Sequence, residues 1–326
     1  MSILRAAASF LVALAVPTVL ASTAHASEDL YVDQLAAYDQ AALQAPESVA
    51  TDYAGNVYVS LALTGEVSRI DRFGEVSTLA TLPIVPGQEC FGFVAGLGAL
   101  TYSPWGLYVN VNSCDPDQRG IWWVSPYTGA TERVAALPTD SFANGIARRF
   151  GYVYASDSFT GRIFRAPMWG GPAEVWADEP VLEPVPNPVT PIGANGLQFF
   201  GNELYVAHSV TGDIVAIEVE PDQSAGPVRV HANVQPGCDD FAFDIDGALY
   251  CTTNFANTVM LVQPDGDVQP LLDVSDGLDG PTAAAFGRGP RRRTLYVSNA
   301  SYPFYPNLGD PGVSVVSLDV RGYPFR

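Results

Sequence analysis

Val57-Tyr58-Val59, a short apolar run centred on a tyrosine, returns as Leu107-Tyr108-Val109, Val153-Tyr154-Ala155, Leu204-Tyr205-Val206, Leu249-Tyr250-Cys251 and Leu295-Tyr296-Val297. The tyrosines stand 50, 46, 51, 45 and 46 residues apart. A near-constant period of this size, built from short β-type runs, predicts a β-propeller in which each repeat is one four-stranded blade. The rest of each repeat agrees. Ahead of the tyrosine lies another run and a turn, as in Phe241-Ala242-Phe243-Asp244-Ile245-Asp246-Gly247, where Asp-Gly supplies the positive φ of a tight hairpin. Behind it, Thr64-Gly65, Thr160-Gly161 and Thr211-Gly212 turn into a third run, and a fourth follows, such as Val268-Gln269-Pro270-Leu271-Leu272.

Six such repeats predict an all-β chain with six blades. The sixth repeat ends after Val313-Ser314-Val315-Val316-Ser317-Leu318 with little sequence left for a fourth strand, whereas Leu30-Tyr31-Val32-Asp33 precedes the first repeat without a blade of its own. The N-terminal segment is therefore expected to complete the last blade and close the ring, which removes the exposed edges of an open sheet. Helix should be scarce, with Asp33 to Leu43 the one window that carries some helical period.

Outward from the repeats, the first residues combine Arg5, an apolar run from Ala6 to about Leu20 and the small-x-small sequence Ala24-His25-Ala26. That pattern predicts a cleavable secretory signal over residues 1–26, a single propeller domain over 27–326, and a secreted or periplasmic protein. No later stretch is long and apolar enough for a membrane helix, so no membrane insertion is expected. The 326 residues carry a net charge of −19, which opposes nucleic acid and anionic lipid as partners. Arg291-Arg292-Arg293, between two apolar runs, reads as a hairpin loop. The chain has no lysine, which excludes Schiff-base chemistry and a Walker phosphate loop. Beyond the leader only His208 and His231 remain, too few for a multi-histidine zinc site. No Gly-x-Ser-x-Gly elbow is present. Four cysteines in an exported chain allow three pairings; Cys90 with Cys114 and Cys238 with Cys251 keep each bridge inside one repeat.

If the tyrosine marks one place in every blade, residues at a constant offset from it are equivalent around the axis. Ten or eleven residues upstream stand Glu47, Asn144, Asn195 and Asp239, in the first, third, fourth and fifth repeats; the same phase of the second and sixth falls near Leu97 and Thr282. Two carboxylates and two amide oxygens make a hard, all-oxygen ligand set that suits one divalent cation, Ca2+ foremost, with Mg2+, Mn2+ or Zn2+ as alternatives. Asp239 is the candidate general base; Asp240 is the alternative, although strand alternation points it to the other face. His208, Asp157 and Asn254 lie near corresponding strand ends and are candidate substrate contacts, with Asp157 and Asn254 also possible further ligands.

Pro46-Glu47-Ser48, Ala143-Asn144-Gly145-Ile146, Ala194-Asn195-Gly196-Leu197 and Cys238-Asp239-Asp240-Phe241, with Asp244 and Gly247 following, resemble the metal motifs of the senescence marker protein, gluconolactonase and luciferin-regenerating enzyme family. The resemblance spans roughly residues 40 to 320. It implies a six-bladed propeller with an axial divalent metal and hydrolysis of lactones or related esters, the aspartate matching Asp239 acting as base. Sugar-lactone members place an arginine two residues before the first metal asparagine, and here that residue is Phe142. With Phe91, Phe93, Tyr302, Phe304 and Tyr305 in neighbouring loops, Phe142 suggests an aromatic mouth and a small-molecule substrate less polar than gluconolactone. The expected function is a metal-dependent lactonase or ester hydrolase. The alternatives are a non-catalytic calcium-binding propeller that binds a partner, and a metal-assisted isomerase or cyclase.

Overall fold

The computed structural model describes residues 30–90, 92–187, 192–303 and 309–324. The proposed leader lies outside these residues, as do Phe91, Phe304 and Tyr305. Each tyrosine run becomes the second strand of a four-stranded antiparallel sheet, and six such sheets follow one another along the chain. The first blade shows the plan: Pro46–Thr51 innermost, then Val57–Leu61, Glu66–Ile70 and Val76–Thr81. The innermost strands of the next five blades are Gly96–Ser103, Ala143–Arg149, Ala194–Phe200, Phe241–Phe243 and Pro281–Phe286.

The ring closes as expected. Val32–Ala37 pairs antiparallel with Gly312–Ser317 and supplies the outer strand of the sixth blade. The helical period over Asp33 to Leu43 is overridden, because Gly312–Ser317 would otherwise keep an open edge of backbone donors and acceptors. Among the described residues, helix is limited to four three-residue 3-10 turns, one of which, Gly289–Arg291, forms the expected loop of the sixth blade's first hairpin. No helix of the described residues is long and apolar enough to cross a membrane.

The core lies between blades. One apolar cluster joins Tyr58, Val67 and Leu82 of the first blade to Leu97, Leu107 and Val109 of the second, and others repeat this at successive seams. The repeat tyrosine is no more than 5% exposed in every blade, so its ring fills the seam, where side-chain burial provides the main stabilisation. Tyr58 and Tyr250 send their hydroxyls to Asp52 and Asp244, the aspartates of the preceding hairpin turns. The Asp-x-x-Gly turns therefore also satisfy the buried phenols. Cys90–Cys114 and Cys238–Cys251 are both bridged. The first ties the small hairpin of Glu89–Cys90 and Phe93–Val94 to the second blade.

Candidate functional site

Glu47, Asn144 and Asn195 each occupy a bulge in an innermost strand, at the register breaks Pro46/Ser48, Ala143/Ile146 and Ala194/Leu197. Asp239 and Asp240 occupy the same place in the fifth blade: Asp239 N donates to Thr252 O, and Thr252 N donates to Asp240 O. A bulge re-aims the side chain it carries, so each of these four blades has a polar residue at a break in its inner strand; Asn195 touches Asp239 directly, and Glu47 feels the Asp239 charge. The second blade breaks register between Leu97 and Leu100 and the sixth between Pro281 and Ala283, so these two blades present only Gly98, Ala99 and Thr282 there.

The glycines after the asparagines serve packing. A Cβ on Gly145 would lie 2.4 Å from Asn195 O, and one on Gly196 would lie 2.3 Å from an Asp240 carboxylate oxygen. Neither glycine sits in the left-handed region. Asn-Gly here is the close approach of inner strands around an axis, rather than a turn.

A ring of hydrogen bonds stitches these bulges together from blade to blade. Ser60 Oγ donates to Gly98 O at 2.9 Å, Asn110 Nδ2 to Asn144 O and Gly145 O, and Ser156 Oγ to Asn195 O. Gly196 N donates to Asp239 O, Thr252 Oγ1 to Thr282 O, and Thr282 Oγ1 to Pro46 O, which completes the circle. Sequence reasoning missed this ring, yet its signal was present. Two residues after the repeat tyrosine stand Ser60, Asn110, Ser156, Thr252 and Ser298, and only the fourth repeat, with Ala207, lacks a polar group.

The amides are held by a repeated device. Asn144 Nδ2 donates to Ser158 Oγ at 3.3 Å and Asn195 Nδ2 to Ser209 Oγ at 2.7 Å, fourteen residues downstream in each case. Each serine engages the nitrogen end and leaves Oδ1 as the other face of the amide. In the fifth blade Asn254 takes the serine's place, and its Nδ2 donates to Asp239 Oδ2 at 2.9 Å. Asn195 Nδ2 also donates to Asp239 Oδ1 at 2.6 Å. Tyr302 donates its hydroxyl to Glu47 Oε2, a contact between the first and sixth repeats that spacing does not reveal.

Electrostatics sets this place apart. Burial raises the Glu47 carboxyl to about 8, repulsion from Asp239 and Asp240 adds to it, and the Tyr302 hydroxyl draws it back. Burial lifts Asp239 to about 6 against the pull of the Asn254 and Asn195 amides. Asp240 rises to about 8, through burial and then repulsion from Asp239, with Phe241 N opposing. Asp240 thus acts on Glu47, and Asp239 on Asp240, so the three carboxyl groups lie within electrostatic reach of one another.

The remaining candidates divide. Phe142 stacks on Phe159 at 5.2 Å between centroids and meets Phe93 edge-on at 4.7 Å, so these three rings form one aromatic cluster. Asp157 is fully buried and accepts from Phe142 N, Phe159 N and Thr160 Oγ1. His208, at the same position of the next blade, is also fully buried; its Nδ1 accepts from Val210 N and Thr211 N, and its Nε2 pairs with Glu183 O. Both side chains are spent on the local backbone, where a turn needs its amides satisfied. His231 lies on the outermost strand Ala225–Asn233 beside Arg229.

The sequence profile of the SMP-30/gluconolactonase/LRE-like region matches residues 117–301, more than half of the chain. The chain belongs to the SMP-30/gluconolactonase/LRE-like family. The matched stretch carries Asn144, Asn195 and Asp239 but not Glu47. Among solved structures, a luciferin-regenerating enzyme superimposes with a TM-score of 0.67 at 13% identity, covering 90% of this chain and 97% of that one. A calcium-binding regucalcin from Agrobacterium tumefaciens gives 0.65 at 15%, covering 88% and 95%. A gluconolactonase from Xanthomonas campestris gives 0.65 at 16%, covering 90% and 91%. At these identities the likeness is one of fold. No curated protein sequence matches.

Members of the SMP-30/gluconolactonase/LRE-like family such as regucalcin bind metal, and the residues present here fit a divalent cation. Among the described residues no three His, Cys, Asp or Glu side chains come close enough to hold a metal alone, so a cation here would also need the amide oxygens of Asn144 and Asn195. The donor set is then all oxygen, the carboxylates repel one another, and Asn254 Oδ1 beside Asp239 is buried without a partner. Each of these is relieved by a hard cation.

Proposed function

We propose that the protein is a divalent-metal-dependent hydrolase of lactones or related esters that carry an apolar substituent. The observation that supports this is the position of Glu47, Asn144 and Asn195 at breaks in three inner strands, with Asp239 at the matching place of the fifth blade. In this reading these four residues hold one cation, Ca2+ by preference because the donors are hard and partly neutral. When bound, the cation supplies Lewis-acid polarisation of a carbonyl oxygen and acidifies a water molecule. Asp239, oriented by the Asn195 and Asn254 amides, accepts the proton of the attacking water through a carboxylate oxygen. Hydroxide adds to the carbonyl carbon, the ring C–O bond breaks, and the proton held on Asp239 passes to the departing alkoxide oxygen. Tyr302 fixes Glu47, and Phe93, Phe142 and Phe159 form an apolar wall that excludes water and favours an alkyl or aryl group over a polyhydroxylated one.

One observation favours a structural calcium instead: both oxygens of Asp239 already accept amide hydrogen bonds, which lowers its strength as a base. Turnover decides between the two. Chelator-stripped protein is to be assayed against alkyl and aryl lactones, gluconolactone and aryl esters with Ca2+, Mg2+, Mn2+ or Zn2+ restored. The hydrolase reading expects metal-restored turnover of the apolar lactones that Asp239→Ala abolishes. No turnover in any metal form, or full turnover by Asp239→Ala, refutes it. The two disulfides accord with an oxidising compartment, and export by the residue 1–26 leader is part of the same proposal.

A further inference from the structure

Towards the other end of the inner strands, these strands and the C-terminal residues 321–324 enclose a cavity. Its wall includes Thr51, four residues along the strand from Glu47 and so about 13 Å away. The cavity measures about 210 Å³ and is bounded by apolar atoms of Val49, Leu100, Ala242 and Phe286 on its floor and by Arg288, Arg292 and Arg321 at its rim. Among the described residues, no acidic side chain lines it. That is unexpected in a chain with 35 acidic and 16 basic residues.

The arginines are not balanced elsewhere. The ion pairs among the described residues are Arg162–Asp178, Arg165–Glu174 and Arg229–Glu203, and none involves this cavity. Arg288 is held in place: its Nε donates to Thr51 O at 2.8 Å, and its guanidinium lies 5.3 Å from the Tyr53 ring centroid and 5.5 Å from that of Tyr102. Its terminal N–H groups have no acceptor among the described protein atoms and are free for the cavity. Arg148, whose Nε donates to Tyr102 O, adds positive potential close by, and the two guanidinium groups repel. Gathering Arg288, Arg292 and Arg321 at one cavity costs stability, and an anion relieves that cost. A guanidinium fixed by stacking offers a preorganised fork for a carboxylate.

We propose that this cavity binds a small organic carboxylate with an apolar body, independently of the metal centre and of the hydrolase reading. The volume equals about seven waters of liquid and admits a ligand of about ten non-hydrogen atoms. The carboxylate would meet Arg288 and Arg321 while the body rests on the apolar floor.

Phenylacetate is the probe, titrated into the full chain by calorimetry, with neutral phenylacetamide and inorganic phosphate as comparisons. One phenylacetate is expected per chain, with Kd in about the 10 μM to 1 mM range. Affinity should fall about tenfold or more in Arg288→Gln and in Arg321→Gln, and should weaken when salt rises from about 0.1 to about 1 M, which shortens the Debye length from ~10 to ~3 Å. Glu47→Gln, outside the cavity, should leave it unchanged. Arg321 is exposed, so its variant keeps the test decisive if Arg288→Gln proves unstable. The proposal fails if no saturable binding occurs below about 10 mM, if both arginine variants bind normally, if Glu47→Gln abolishes binding, or if phenylacetamide or phosphate binds as tightly as phenylacetate.

Discussion

Replacing Glu47 by Gln should stabilise the metal-free protein at pH 8. Burial and the neighbouring Asp239 and Asp240 raise the Glu47 carboxyl from 4.5 to about 8 in the folded protein. A raised acid binds its proton more tightly folded than unfolded. The stability it contributes is therefore present in full below pH 4.5 and is lost as pH rises towards 8. Relative to a neutral side chain, that loss reaches about 4 kcal/mol at pH 8 and stays below about 1 kcal/mol at pH 5. With an unfolding entropy near 2.1 cal/mol/K per residue, the unit Tyr31–Arg326 changes stability by about 0.6 kcal/mol per kelvin, so Glu47→Gln should raise Tm by about 6 °C at pH 8 and by about 1 °C at pH 5. Gln keeps an oxygen for the Tyr302 hydroxyl, so the comparison isolates the charge. Differential scanning calorimetry in excess chelator reads both values. With Ca2+ restored the order should reverse, because wild type gains ligand binding and the variant loses a carboxylate ligand. A Glu47→Gln protein that melts lower than wild type in chelator at pH 8, or an equal shift at both pH values, would refute the picture of uncompensated axial carboxylates.

Asn144→Ala combined with Asn195→Ala should weaken Ca2+ binding at least about a hundredfold by calorimetry, and unchanged affinity removes the amides from the ligand set. Gly145→Ala places a methyl 2.4 Å from Asn195 O and should cost about 1–3 kcal/mol in denaturant unfolding, whereas a neutral result denies the close approach of the inner strands. Removing the Cys238–Cys251 bridge, which spans 13 residues beside Asp239, should cost about 3 kcal/mol, checked by thermal melting of the double alanine variant against wild type. Phe142→Ser should lower kcat/KM for aryl lactones about tenfold while leaving Ca2+ affinity intact; equal loss for gluconolactone would argue against an apolar wall.

The repeat of short tyrosine runs is legible because a propeller blade is a local object: its strands are neighbours in sequence, and hairpin turns announce them. The shared phase of Glu47, Asn144, Asn195 and Asp239 is legible for the same reason, since each stands ten or eleven residues before the repeat tyrosine. Asp157 and His208 share a phase near strand ends, yet whether such residues face the axis or cap a turn depends on which backbone amides need partners. Asp33 to Leu43 had some helical period, and the strand there exists only because the sixth blade needed a partner.

By itself, then, the sequence determined the number of blades and their closure by the N-terminal segment, and it favoured the two within-repeat disulfide pairings that the structure shows. Tertiary structure alone decided what the side chains meet: Tyr302 on Glu47 across the ring closure, Phe159 joining Phe93 and Phe142, and the arginine-rimmed cavity. The reason is physical. Period and offset fix position along one blade, whereas contacts between loops across the ring closure join residues as far apart as 255 and 261 positions, and only the closed ring sets those distances.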